Sequence, residues 1–119
     1  MASGTITPVL LSGSTNGRGI EVTQTTLTGA DTVHTAVSGT AKVDYLTIEA
    51  ANHHTATVKL TLQFGGSDDA DKITVDLAAD RGLVTVVDRI PLNNGLVVSA
   101  FADQASVVNL FGYVTRVEL

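Results

Sequence analysis

Residues 55–64 read Thr55-Ala56-Thr57-Val58-Lys59-Leu60-Thr61-Leu62-Gln63-Phe64. Ala56, Val58, Leu60, Leu62 and Phe64 alternate without a break with Thr55, Thr57, Lys59, Thr61 and Gln63. Side chains of an extended chain point to opposite faces with a period of two, so this stretch reads as a strand buried on one face. Lys72 to Leu77 repeats the pattern, with Ile73, Val75 and Leu77 inward and Lys72, Thr74 and Asp76 outward. Helical spacing fits neither segment. The intervening Gly65–Asp71 (GGSDDAD) is the most acidic stretch and reads as the loop of a hairpin.

The remaining strands follow from turn punctuation. Gly19–Leu27 and Thr32–Val37 are Thr-rich and separated by Thr28-Gly29-Ala30-Asp31. Lys42–Ala51 is apolar on both faces and is expected to be central or covered on both sides. Leu83–Ile90 should end at Pro91, which cannot donate to a ladder, before a turn over Pro91–Gly95. Leu96–Asp103 and Ser106–Leu119 complete the set, the last shifting its apolar phase near Gly112, where a bulge is expected. Eight strands with no helix longer than a turn predict an all-β, antiparallel β-sandwich, an eight-stranded jelly roll of two sheets. A seven-stranded immunoglobulin-like sandwich is the alternative.

Composition agrees. The 119 residues include 17 Thr and 16 Val, whose branched Cβ suits a pleated surface. Aromatics make up only 4%, so the core is expected to be aliphatic, with Phe64, Phe101 and Phe111 as its large fillers. A net charge of −5 with seven Lys+Arg argues against nucleic acid as a partner. The absence of cysteine excludes disulfides, zinc ribbons and thiol chemistry. No apolar run has the length of a helical membrane span, so no membrane partner is expected. The expected organisation is a flexible arm, residues 1–18, followed by one sandwich domain, residues 19–119. A frayed terminus and a short strand of the domain are the alternatives for those first residues.

Candidate chemistry is sparse. Asp68, Asp69 and Asp71 offer carboxylates but lack the further ligands of a calcium loop. Asn52, His53 and His54 read as a hairpin cap, because adjacent strand side chains point apart and rarely share a metal. His34 reads as a surface residue. Asp80-Arg81 and Asp88-Arg89 read as surface ion pairs, and Lys59 and Lys72 as solubility charges, or as gatekeepers if either strand is an edge. No nucleophile elbow, zincin helix, phosphate loop or dinucleotide fingerprint is present. The expectation is a protein that is not an enzyme, with no catalytic, cofactor-binding or metal residues.

Residues 42–119 resemble small structural proteins of tailed-bacteriophage virions. The resemblance is carried by Tyr45-Leu46-Thr47-Ile48-Glu49-Ala50-Ala51-Asn52, by Ala56-Thr57-Val58-Lys59-Leu60-Thr61-Leu62 and by Asp88-Arg89-Ile90-Pro91-Leu92 with the Gly95 turn. Val98-Ser99-Ala100-Phe101-Ala102 and Val107-Val108-Asn109-Leu110-Phe111-Gly112-Tyr113-Val114 complete it. The resemblance implies a head decoration or cement protein that bridges major capsid protein subunits, often as a homotrimer, on the surface of the phage head. A tail or head-fibre module binding a host receptor or glycan is the alternative. A cupin-type metal module fits badly, since two of the three His are adjacent. Candidate interface residues are Val9, Leu10 and Leu11, as the anchor of the arm, and Tyr113, Arg116 and Glu118 on the last strand. A plain solvent-facing edge is the other reading of that strand.

Overall fold

The computed structural model describes residues 4–119. Among these, nine strands form two antiparallel sheets: β1 (Ile6–Leu10), β2 (Ile20–Val22), β3 (Asp31–Thr35), β4 (Lys42–Asn52), β5 (Val58–Phe64), β6 (Lys72–Leu77), β7 (Val84–Leu92), β8 (Val97–Ala102) and β9 (Val108–Glu118). The first sheet has the order β1-β9-β4-β7, with β2 also on β9, and the second the order β3-β8-β5-β6. The pairings are nested: β5 with β6, β4 with β7, β3 with β8, β2 with β9. A long hairpin rolled up in this way is the jelly roll, with β1 added at one edge.

The core follows from the period-two reading. Leu46, Ile48 and Ala50 of β4, Leu110 and Val114 of β9, and Leu60 and Leu62 of β5 have no exposed surface. The large fillers are aliphatic, His34 excepted. Phe111 is 37% exposed, Phe101 is half-buried opposite Thr61, outside the sandwich interior, and Phe64 only flanks the core. With so few aromatics, burial rests on many small β-branched contacts.

Four local expectations are corrected. Ile6–Leu10, within the stretch expected to be a flexible arm, pairs along β9 from Ile6↔Val117 to Leu10↔Tyr113. Its apolar alternation supplies an inward Val9, so the segment gains more by completing the sheet than by remaining free. Residues 1–3 of the expected arm lie outside the described residues. Second, Gly112 makes no bulge: β4 and β9 run in unbroken register from Lys42↔Glu118 to Asn52↔Val108. A Cβ on Gly112 would lie 2.1 Å from the Thr47 carbonyl oxygen, so glycine permits close strand approach. Third, Pro91 does not end β7 but pairs with Tyr45 inside it, which an edge strand tolerates. Two register shifts lie in β7 instead, one at Asp88-Arg89, with Arg89 at φ 54°, and one at Val86. Fourth, β2 is cut to three residues and β5 starts at Val58, after a turn.

Candidate functional site

Asp44 stands in the inward row of β4 with Leu46 and Ile48, and Arg116 stands opposite it in the inward row of β9. The carboxylate is fully buried. Its Oδ1 accepts from Arg116 Nε at 2.7 Å, and its Oδ2 accepts from Arg116 Nη2 at 3.0 Å. Oδ2 also accepts from His34 Nε2 at 2.9 Å and from the Val37 backbone N–H at 3.0 Å. The Ser12 backbone N–H donates to His34 Nδ1 at 3.0 Å. That nitrogen is therefore the acceptor, the ring proton sits on Nε2, and His34 is neutral. Its contact with Asp44 is a hydrogen bond, and the only charges in the cluster are the carboxylate and the guanidinium. Burial pushes the Asp44 carboxyl up, but the bonds from Arg116, His34 and Val37 outweigh it and hold it below the usual 3.8. The bond to Asp44 pushes the Arg116 guanidinium up.

Ser12, His34 and Asp44 are the residue types of a hydrolytic triad, without its geometry. Ser12 meets the imidazole through its main-chain N–H, while its Oγ accepts from the Thr35 N–H at 2.7 Å. A general base needs a free lone pair aimed at the hydroxyl, and the Nδ1 lone pair is occupied by an amide. The cluster ties β3 of the second sheet to β4 and β9 of the first. His34 is thus a buried clamp and not the surface residue expected. Arg116, expected to face a partner, turns inward.

The outer face of the first sheet is different. Leu10 is 53% exposed and lies beside Tyr113, which is 52% exposed. Ile6 and Phe111 continue this surface along β1 and β9. Thr47, opposite Tyr113 on β4, is buried, and its Oγ1 has no hydrogen-bond partner among the described residues. Of the expected arm anchors, Leu10 alone points outward; Val9 packs on the core and Leu11 is 2% exposed. Tyr113 is the last-strand candidate that faces out. Glu118 lines a small recess of about 110 Å³ with Thr5, Thr7, Lys42 and Arg116. Beside the patch, at the β7 bulge, Tyr45, Asp88, Arg89 and Thr115 line an open recess of about 450 Å³. Asp88 holds the Arg89 guanidinium at 3.0 and 3.4 Å.

The loop clusters are structural. Asn52 is 1% exposed, and its Nδ2 lies within hydrogen-bond distance of the Ala56, Leu77 and Ala78 carbonyls, while its Oδ1 accepts from the His54 N–H. It ties the β4–β5 turn to the end of β6. In the acidic loop Asp69 faces Lys72 at 3.3 Å, and among the described residues no three His, Asp or Glu are grouped to hold a metal.

No protein-family model matches the chain, and no curated protein does. A solved structure of an exo-β-1,3-galactanase from Phanerochaete chrysosporium with β-1,3-galactotriose aligns with 95% of this chain at 15% identity and a TM-score of 0.45. The chain spans 26% of that protein's length, and the likeness carries no argument about function.

Proposed function

We propose that the protein is a non-enzymatic virion structural protein that decorates the phage head by docking on major capsid protein. The observation that carries this reading is the outer face of the first sheet. Leu10, Tyr113 and Phe111 are exposed together there, with Ile6 farther along β1, over a buried Thr47 hydroxyl that lacks a partner among the described residues. Apolar and aromatic side chains concentrated on one side are what protein contacts use, and a covering surface could satisfy the hydroxyl. The resemblance of residues 42–119 to phage structural proteins supplies the class of partner. Weak contacts repeated over a lattice suffice, because each attachment raises the effective concentration of the next.

The test is co-sedimentation of purified protein with assembled, empty phage heads and, separately, with unassembled capsid protein. Binding to heads alone, weakened at least tenfold by Tyr113→Asp, is the expected result. Equal binding by wild type and Tyr113→Asp sinks this use of the face. A second reading, a tail or fibre module that binds a glycan, is favoured by the Tyr45, Asp88, Arg89 and Thr115 recess. It offers an aromatic side chain beside paired polar groups. Saccharide binding lost in Tyr45→Ala, without head binding, would select it.

A further inference from the structure

We propose that β6 pairs antiparallel with β6 of a second copy, joining the two second sheets into one eight-stranded sheet about a two-fold axis. β6 is an edge strand: among the described residues it pairs with β5 on one side and with nothing on the other. The molecule's other edges are guarded or too short. β1 carries Pro8, β7 carries Pro91 and bulges, β3 is irregular between Thr32 and His34, and β2 is only three residues long. β6 has neither proline nor bulge, and its register with β5 is unbroken over all six residues; its guards are the charges of Lys72 and Asp76, which repel an unlike strand but complement a second β6. Such an edge is a template for another strand.

The sequence of β6 names the partner. Directly opposed residues in an antiparallel pair put their side chains on the same face, so a second β6 must align inward residues with inward ones. With Thr74 on the axis, Ile73 of one copy faces Val75 of the other, and Lys72 faces Asp76. The two opposite charges therefore meet twice. The rows already set by β5 continue across the seam. Outside, Thr61 stands opposite Thr74, so the central row becomes four threonines. Lys59 stands opposite Asp76, so the next row runs Lys59, Asp76, Lys72 and Gln63, the last two from the second copy. Inside, Leu62-Ile73 meets Val75-Leu60, and the half-buried Ile73 and Val75 gain cover. Moving the axis by one residue along the strand pairs Asp76 with Thr74 and leaves Lys72 without Asp76. Charge matching thus selects this register. Within one copy Lys72 reaches only the exposed Asp69, at 3.3 Å, a contact of little strength.

The pairing leaves the outer face of the first sheet free and does not depend on the capsid reading. It is two-fold, whereas the resemblance implied a trimer, so the two are separable in solution. Light scattering behind size exclusion should give twice the 12.3 kDa chain mass at high concentration. Asp76→Lys and Lys72→Asp should each shift the dimer toward monomer by at least tenfold in concentration, and the double exchange should restore it. The chain has no cysteine, so Thr74→Cys is a clean probe. Opposed Cα atoms in an antiparallel pair stand at roughly 4.5–5.5 Å, within disulfide reach. Oxidation should give a covalent dimer with Thr74→Cys and not with the exposed Lys59→Cys. Circular dichroism checks that each variant keeps its strands. A monomer at all concentrations, a trimer, or a dimer insensitive to both charge reversals and not linked by Thr74→Cys would overturn the proposal.

Discussion

Replacing Asp44 by Asn keeps the shape of the side chain and removes its charge, which isolates what the carboxylate does. Four hydrogens converge on it, one at Oδ1 and three at Oδ2. The amide can accept at one end only, and its best orientation turns the NH2 toward Arg116 Nε–H, donor against donor. His34 cannot relieve the conflict by moving its proton, because Nδ1 is taken by the Ser12 amide. Arg116 is left without a counter-charge. Breaking one partner of a buried ion pair costs roughly 3–5 kcal/mol. The Arg116 side chain keeps 29% exposure, so water reaches it and the low end, about 3 kcal/mol, applies. At about 2.1 cal/mol/K per residue, unfolding a chain of this length carries roughly 0.25 kcal/mol/K, so Tm should fall by roughly 12 °C.

Urea and thermal unfolding followed by circular dichroism measure this, with Asp88→Asn as the comparison. The Asp88–Arg89 pair is exposed on both sides, and its loss should leave the unfolding curve essentially unchanged. The pH dependence follows from the direction of the Asp44 shift. Its folded pKa lies below the unfolded value of 3.8, so protonation favours the unfolded chain. The stability it contributes is full above the unfolded value and is lost as pH falls through that value toward the folded pKa. Asp44→Asn should abolish this part of the acid dependence. A loss under about 1 kcal/mol, or an unchanged acid limb, would refute the account of the cluster as a clamp.

Further outcomes are expected. Gly112→Ala should destabilise by at least about 2 kcal/mol in urea titration, because the new Cβ meets the Thr47 backbone oxygen and no flexible side chain can give way. Asn52→Asp should cost about 2–3 kcal/mol in the same assay, since a carboxylate would face three carbonyls with no hydrogen to donate. Tyr113→Asp should change stability by less than about 0.5 kcal/mol, because the side chain is half exposed. Its effect should appear only in head binding.

The two-sheet fold was legible because period two survives at the level of residues. The apolar rows of Val58–Phe64 and Lys72–Leu77 declare themselves without help from the rest of the chain, but Thr61 and Gln63, expected on an exposed face, are also buried because β5 is central between β8 and β6. Element ends were less legible. Asn52 holds Ala56 in a turn and so delays β5 to Val58, and that bond is not local to either strand. The bulge was placed on the wrong strand because Gly112 and Arg116 both occupy inward positions of β9. A missing side chain and a charged one look like a change of phase when the partner row of β4 is unseen. Asp44 in the apolar row of Leu46 and Ile48 was the one signal of the clamp. Reading it required knowing that Arg116, far along the chain, and His34, on the other sheet, stand across from it. The exposed face was partly legible: Tyr113 and Leu10 were singled out separately, and only the β1–β9 register makes them neighbours.

That register also sets the two faces of one strand apart. Along β9 the even positions Val108, Leu110, Gly112, Val114 and Arg116 meet β4 inside the sandwich, while Phe111, Tyr113 and Val117 alternate with them on the outside. The two sets share a backbone and almost nothing else. Outer residues can therefore change to suit a partner at little cost in stability, whereas every inner one is fixed by volume, by close approach or by charge. The arrangement stays unambiguous only while the register cannot slip, since a shift of one residue would exchange the faces. An all-aliphatic interior resists such a slip weakly, because Val, Leu and Ile replace one another in the same space. The directional bonds of Arg116 to Asp44, with His34 bracing it from the opposite sheet, cannot be made in a slipped register. The Asp44–Arg116 pair thus fixes which face of β9 lies outside, and the docking proposed for that face would depend on an ion pair inside the sandwich.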